Sequence, residues 1–215
     1  MTRPAVMAFA GPRDRYQSAL ALEERGALAA LVTEAYFPAA VARTPWLGRA
    51  FRRYASARTH PSIPVERARC SFGAFACGLR ARLDRRRDSR WHAAADSALS
   101  RKAGRVALAC AAPLVAYSYY AAEAFRMLEG SGVPRILFQV HPDGRFLREL
   151  YLREIEKTPE AKASLMEETE MSPLFAHNDE AFAQADAAIC ASSFTKLSLA
   201  AAGAKSGDIS VSSIR

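Results

Sequence analysis

Arg135 to Pro142 reads RILFQVHP, a short continuous apolar run closed on both sides by turn formers. Gly130, Gly132 and Pro134 precede it, and Pro142, Asp143 and Gly144 follow. A run of this length suits a strand covered on both faces, which is the usual state of a strand in a parallel sheet. The strand delivers His141 to its carboxyl end. Ligands of open α/β sheets bind at those ends, so His141 is the first functional candidate. The plainer alternative is that its imidazole only fastens the loop that follows.

Similar runs recur along the chain, separated by helical stretches. PAVMAFA (4–10) is a strand candidate, broken by Gly11-Pro12-Arg13-Asp14. The stretch from Tyr16 to Arg25 is helical in composition and stops at Gly26. Further strands are expected at 28–33, near 65–70, and at 113–118, 187–191 and 208–211. Helices are expected at 72–83, 89–102, 121–128, 172–186 and 194–202, with two more across 144–171 divided by Pro159. Ser192-Ser193 supplies an N-cap for the helix that Gly203 ends. Alternation of this kind predicts one Rossmann-like α/β domain over residues 1–215, three layers deep, with a mostly parallel sheet.

Charge is distributed unevenly. The net charge is +8, but residues 1–105 carry 20 Lys and Arg against 8 Asp and Glu. Residues 106–215 carry 10 against 14. A basic first half favours an anionic partner: phosphate groups, a membrane surface or nucleic acid. Within it, Trp46, Leu47, Ala50, Phe51 and Tyr54 fall at helical spacing among Arg43, Arg49, Arg52, Arg53 and Arg58. Residues 43–58 therefore read as a basic amphipathic helix. It either packs on the domain with a solvated arginine face or lies at a membrane interface. The arginines at 80–90 read first as a solvated surface or loop, with an anion-binding run as the sharper alternative. No nucleic-acid reader motif accompanies these charges, so no specific nucleic-acid partner is expected.

Several chemistries are excluded by what is missing. No run of about 18 apolar residues could form a transmembrane helix. The opening MTRPAVMAFAGPRDR reads as strand and turn rather than as a secretory signal. Cys70, Cys77, Cys110 and Cys190 form no CxxC pair and are expected to be buried free thiols in a reducing, cytoplasmic setting. There is no GxxxxGK[ST] phosphate loop, no GxSxG elbow and no Asp-x-Asp. His60, His92, His141 and His177 lack metal-ligand spacing. Neither a metal nor an organic cofactor is expected.

The second half carries a family resemblance. PLVAYS, then RILFQVHP, then a long charged helical segment, then QADAAICASSFTKLSLAAAGAKSGDISV together resemble the N-terminal domain of a family 4 glycosyltransferase of the GT-B type. The matching positions are His141, Ala185-Asp186, Ser192 and Gly203. The opening AFAGPRDRYQSALALEERGALAALVTEAYFP resembles that family's first strand, loop and helix. The resemblance implies transfer of a sugar from a nucleotide-sugar donor to a glycan or lipid acceptor, with retention. It implies that His141 is catalytic, facing the donor sugar. Gly11, Arg13 and Ser192 would border the donor diphosphate, and Tyr16, Tyr117 and Ser118 the acceptor. The family's last strand leads into a donor-binding domain, whereas here the sequence reads SVSSIR. The expectation is half of an enzyme, lacking its C-terminal domain or a partner subunit that replaces it. The rival expectation is a non-catalytic module docking through 43–58 on the inner face of a membrane.

Overall fold

The computed structural model describes residues 3–83, 90–169, 172–203 and 209–211, with side chains except at 167–169 and 172–177. The first three strands are β1 (Ala5–Ala8), β2 (Leu28–Thr33) and β3 (Ala68–Cys70). They are followed by β4 (Leu114–Tyr117), β5 (Arg135–Gln139), β6 (Ala187–Cys190) and β7 (Ile209–Val211). All pair in parallel in the order β3-β2-β1-β4-β5-β6-β7. This is a Rossmann-like α/β sheet. The chain lays β1, β2 and β3 outward in one direction, returns past β1, and builds β4 to β7 in the other. The reversal falls between β1 and β4, where open α/β sheets form their ligand crevice.

The helices are α1 (Gln17–Glu23), α2 (Ala39–Arg43), α3 (Arg49–Ser56), α4 (Phe72–Leu83) and α5 (Arg90–Cys110). They continue with α6 (Ala122–Leu128), α7 (Gly144–Lys157), α8 (Lys162–Thr169), α9 (Ser172–Gln184) and α10 (Ser193–Ala201). Right-handed crossovers place helices on both faces of such a sheet, because the build direction changes at β1. Helix α5 lies across β1, β2 and β4 and carries α4 and α6 beside it. Gly104 is what allows α6 so close. A Cβ there would stand 3.3 Å from the Ala124 Cα and 3.2 Å from the Met127 sulfur.

The apolar runs behave as their pattern dictates. Every residue of β1 and β4 is buried. Leu28, Leu31, Leu99, Leu114, Phe125 and Leu137 are almost fully sealed. Each such side chain contributes about 1.5–3 kcal/mol relative to exposure. At the amino edge, Asp186 accepts from the Arg135 backbone N–H at 2.8 Å and from its guanidinium at 2.7 Å, clamping β6 to β5. The Ala185-Asp186 pair of the sequence motif thus sits at the edge opposite His141.

Three sequence expectations need correction. The 43–58 segment is not one helix: α2 ends at Arg43, Pro45 intervenes, and α3 begins only at Arg49. Trp46 lies outside any helix and is 82% exposed. The expected helix from Ser89 to Lys102 extends to Cys110, because Val106 and Ala107 continue the buried face. The thiols are not uniformly buried: Cys190 is, Cys70 and Cys77 are partly covered, and Cys110 is exposed at the end of α5. Arg85, Arg86, Arg87, Ser89 and Asp208 lie outside the described residues.

Candidate functional site

The carboxyl ends of β1, β4 and β5 are tied into one surface. Phe9, just past β1, packs on Tyr117 at 5.1 Å, and Tyr117 stacks on Phe138 of β5 at 4.5 Å. The Tyr117 hydroxyl donates to Asp14 Oδ2 at 2.8 Å. The same oxygen accepts from the Ser18 backbone N–H at 3.2 Å and from the Ser18 hydroxyl. Asp14 therefore joins the β1 loop, the start of α1 and the end of β4. Burial pushes the Tyr117 hydroxyl well above its ordinary range, and the Asp14 carboxylate adds to this. Tyr117 stays protonated and remains a donor.

The β1 loop is held in an unusual shape. Gly11 has φ +66°, and Asp14, Arg15 and Tyr16 follow at +43°, +52° and +65°. Left-handed backbone costs a non-glycine residue about 1–2 kcal/mol, so a run of three persists only because its surroundings enforce it. The Asp14 bonds provide one constraint. The Tyr16 ring provides the other, wedged against Phe9 at 5.7 Å and edge-on to Tyr36 at 5.5 Å.

This turn projects Arg13 across the β1–β4 junction. Its Nη2 donates to the Tyr120 hydroxyl at 3.4 Å, a long and weak bond that leaves most of the guanidinium fork uncommitted. Tyr120 and Tyr119 lie on the short turn after β4. The Tyr119 ring stands 5.4 Å from that of His141. His141 is exposed on its outer side, and its carbonyl accepts from the Gln139 amide at 2.7 Å, which fixes the loop after β5. Partial burial, and then the Arg13 charge, hold the His141 pKa below the ordinary imidazole range. At neutral pH the ring is uncharged and able to donate or accept one hydrogen bond.

The sequence-derived residues divide into two groups. Arg13 and His141 converge on this surface, with Gly11 beside it and Tyr117, 4% exposed, directly beneath. Tyr16 and Ser118 are sealed: Tyr16 is 1% exposed and Ser118 0%, and neither hydroxyl has a hydrogen-bond partner among the described residues. As placed, they form the wall behind the surface. Ser192 caps α10, its Oγ accepting from the Thr195 N–H at 3.1 Å.

Sequence reasoning missed Asp14, Tyr119 and Tyr120 as site residues, along with the pair formed by Glu34 and Arg58. Glu34 follows β2 directly, and its Oε1 accepts from Arg58 Nη2 at 2.6 Å and Nε at 3.2 Å. The Arg58 guanidinium also lies 3.8 Å from the Tyr54 ring centre. Both side chains border Gly11, whose missing Cβ would be 3.9 Å from Glu34 and 4.0 Å from Arg58. A carboxylate directly after a strand was a readable signal, since the other candidates cluster at or beyond the carboxyl ends of strands. Among the described residues, no group of His, Cys, Asp and Glu is arranged to hold a metal ion.

No family model matches the chain, and no curated protein does. Solved structures resemble it in outline. UGT2 of Phytolacca americana without ligand is 12% identical with a TM-score of 0.48, over 97% of this chain and 51% of its own. The same enzyme with UDP-2-fluoro-glucose and pterostilbene gives 12% and 0.43, over 98% and 53%. A UDP-glucosyltransferase from Polygonum tinctorium that glucosylates indoxyl, in complex with 3,4-dichloroaniline, gives 11% and 0.47, over 98% and 51%. The chain spans about half the length of these structures.

Proposed function

We propose that this domain is the acceptor-side half of a glycosyltransferase that moves a sugar from a nucleotide-sugar donor to a glycan or lipid acceptor with retention. The observation that carries this reading is the convergence of a largely uncommitted arginine and a neutral histidine beside the sheet's reversal, over buried tyrosines whose hydroxyls fasten the loop. In the transfer, the bond from the anomeric carbon to the donor diphosphate breaks, and a bond to an acceptor oxygen forms on the same face. The departing diphosphate takes the acceptor's proton. Arg13 presents a planar fork to the developing phosphate charge, and Gly11 lets the backbone approach it. His141 faces the sugar as a neutral hydrogen-bonding group. Such a site works through positioning and charge stabilisation, and the reading calls on no metal or organic cofactor. The donor's nucleotide would sit on a second domain or subunit.

The test has two arms. Titration of a protein carrying both halves with UDP-, GDP- and ADP-hexoses is followed through the His141 ring resonances. A diphosphate beside Arg13 offsets its charge and moves the His141 pKa upward. In a protein carrying both halves, His141→Ala cuts turnover at least a hundredfold while the melting temperature stays within a few degrees of the parent. Turnover near that of the parent rejects the assignment.

One observation favours a second reading, a module that docks on an anionic membrane. Residues 35–83 hold nine arginines and one glutamate. Trp46, Phe72 and Leu83 are 82%, 84% and 73% exposed among them. No described helix is long and apolar enough to cross a membrane, so contact would be peripheral. Sedimentation with neutral and anionic vesicles at two salt concentrations tests it, because attraction to surface charge weakens with salt.

A further inference from the structure

A slot of about 210 Å³ opens between α3 and α4 at the carboxyl end of β2. Its walls are Phe51 and Tyr54 on one side and Phe75, Gly78 and Leu79 on the other. The Phe75 and Tyr54 rings meet edge-on at 6.3 Å. Glu34 and Arg82 also line the slot. An apolar cavity of about 150 Å³ accepts a benzene ring, so this one takes a ring or a short length of branched hydrocarbon. Leu79 also lines a wider cleft of about 810 Å³ on the other side of α4, with Leu83, Trp91 and Arg80. Leu79 is thus common to the linings of both.

The charges select the other end of the ligand. The Glu34 carboxylate is already taken by Arg58. Arg82 makes no ion pair with a described carboxylate, and its guanidinium hangs 5.8 Å from the Tyr54 ring. Arg49, Arg52 and Arg53 lie on α3, the helix that supplies Phe51 and Tyr54, and α3 itself carries no acidic residue. The balance around the slot is therefore positive, over an interior that is apolar.

We infer that this slot is a binding site for the apolar end of a single-chain lipid phosphate, whose anionic head meets Arg82. As the acceptor of sugar transfer, this ligand rests on the reading proposed above. As a ligand, it stands on the slot alone.

Gly78 provides a clean test. A Cβ at this position meets nothing within 4 Å, and its backbone is not left-handed. Gly78→Leu fills the slot while improving helix propensity in α4, so the variant folds at least as well as the parent. Calorimetric titration uses geranyl phosphate, geraniol and inorganic phosphate as probes. The parent binds geranyl phosphate at least tenfold more tightly than geraniol, and inorganic phosphate not measurably. Gly78→Leu weakens geranyl phosphate at least tenfold at an unchanged or raised melting temperature. Arg82→Gln, at an exposed position, erases most of the preference for geranyl phosphate over geraniol and its sensitivity to salt. Undiminished binding in Gly78→Leu overturns the inference, as does inorganic phosphate binding as tightly as geranyl phosphate. No arm uses a sugar nucleotide. A failed donor titration therefore leaves the slot standing, and a failed slot leaves the donor reading standing.

Discussion

Removing either member of the Glu34–Arg58 pair exposes how far the β2 end depends on it. The Arg58 side chain is 8% exposed and that of Glu34 18%. Breaking a fully buried pair costs about 3–5 kcal/mol, because a charge is left behind without its partner. Here the two single variants differ. Arg58→Met strands a carboxylate that still reaches water, which trims the cost to about 2–3 kcal/mol. Glu34→Gln keeps an oxygen that accepts from the guanidinium, and Tyr54 continues to face the cation at 3.8 Å. A ring contact of this kind retains about 0.5–2 kcal/mol, so about 1–2 kcal/mol is lost. The double variant carries no stranded charge and costs less than the sum of the two, with a coupling of about 1–3 kcal/mol. In a domain of this size, 1 kcal/mol moves the melting temperature by about 2–4 °C. Thermal and urea melts of all four proteins at pH 7 measure the cycle. Single effects that add within about 0.5 kcal/mol mean the two groups act independently, and the argument from their burial then fails.

Arg13→Gln removes a positive neighbour from His141 and raises the imidazole pKa toward its ordinary value, as read by NMR titration; burial, the larger cause, keeps part of the depression. A histidine depressed in the folded state loses stability as pH falls below its unfolded value of about 6.5, so this variant also loses less on acidification. Gly104→Ala pushes a Cβ against Ala124 backbone and destabilises by about 1 kcal/mol, the overpacking cost of 1–3 kcal/mol exceeding the helical gain; a stabilised variant in urea melts shows that α6 yields. Arg15→Gly relieves the left-handed strain at an exposed position and stabilises by about 0.5–1 kcal/mol, net of the glycine's greater freedom when unfolded; a destabilised variant means that φ +52° is not where the strain lies.

The strands were legible because burial on both faces writes itself as short apolar runs: 28–33 was read to the residue, and RILFQVHP within three. His141 followed from chain direction alone, since a parallel strand commits its carboxyl end to one edge. Strand order was not legible, because nothing in the run LAALVT distinguishes an inner strand from an outer one. The break within 43–58 was hidden for a related reason. Apolar periodicity runs through Pro45, but proline has no N–H to give a helix interior, and Gly48 opens the turn from which α3 starts. The Asp14 junction escaped because it depends on pairing across 103 residues with Tyr117. Sequence marks such a residue only as a loop aspartate.

That junction also explains why the site can be both strained and ordered. Phe9, Tyr117 and Phe138 form a ring ladder across the ends of three adjacent strands, β1, β4 and β5. It gives the edge a floor that does not depend on the loops. The β1 loop then reaches over this floor in a left-handed run that no local preference supports, fastened by Asp14 and by the sealed Tyr16. The outcome is that Arg13 faces His141 across the sheet's reversal rather than turning back onto α1. A relaxed right-handed turn at 14–16 would remove both the Asp14 bond to Tyr117 and the position of Arg13. The strain and the convergence of charge are therefore one feature. Asp14→Ala is the variant in which they are lost together: the His141 pKa rises as Arg13 withdraws, while the ring ladder keeps the sheet folded.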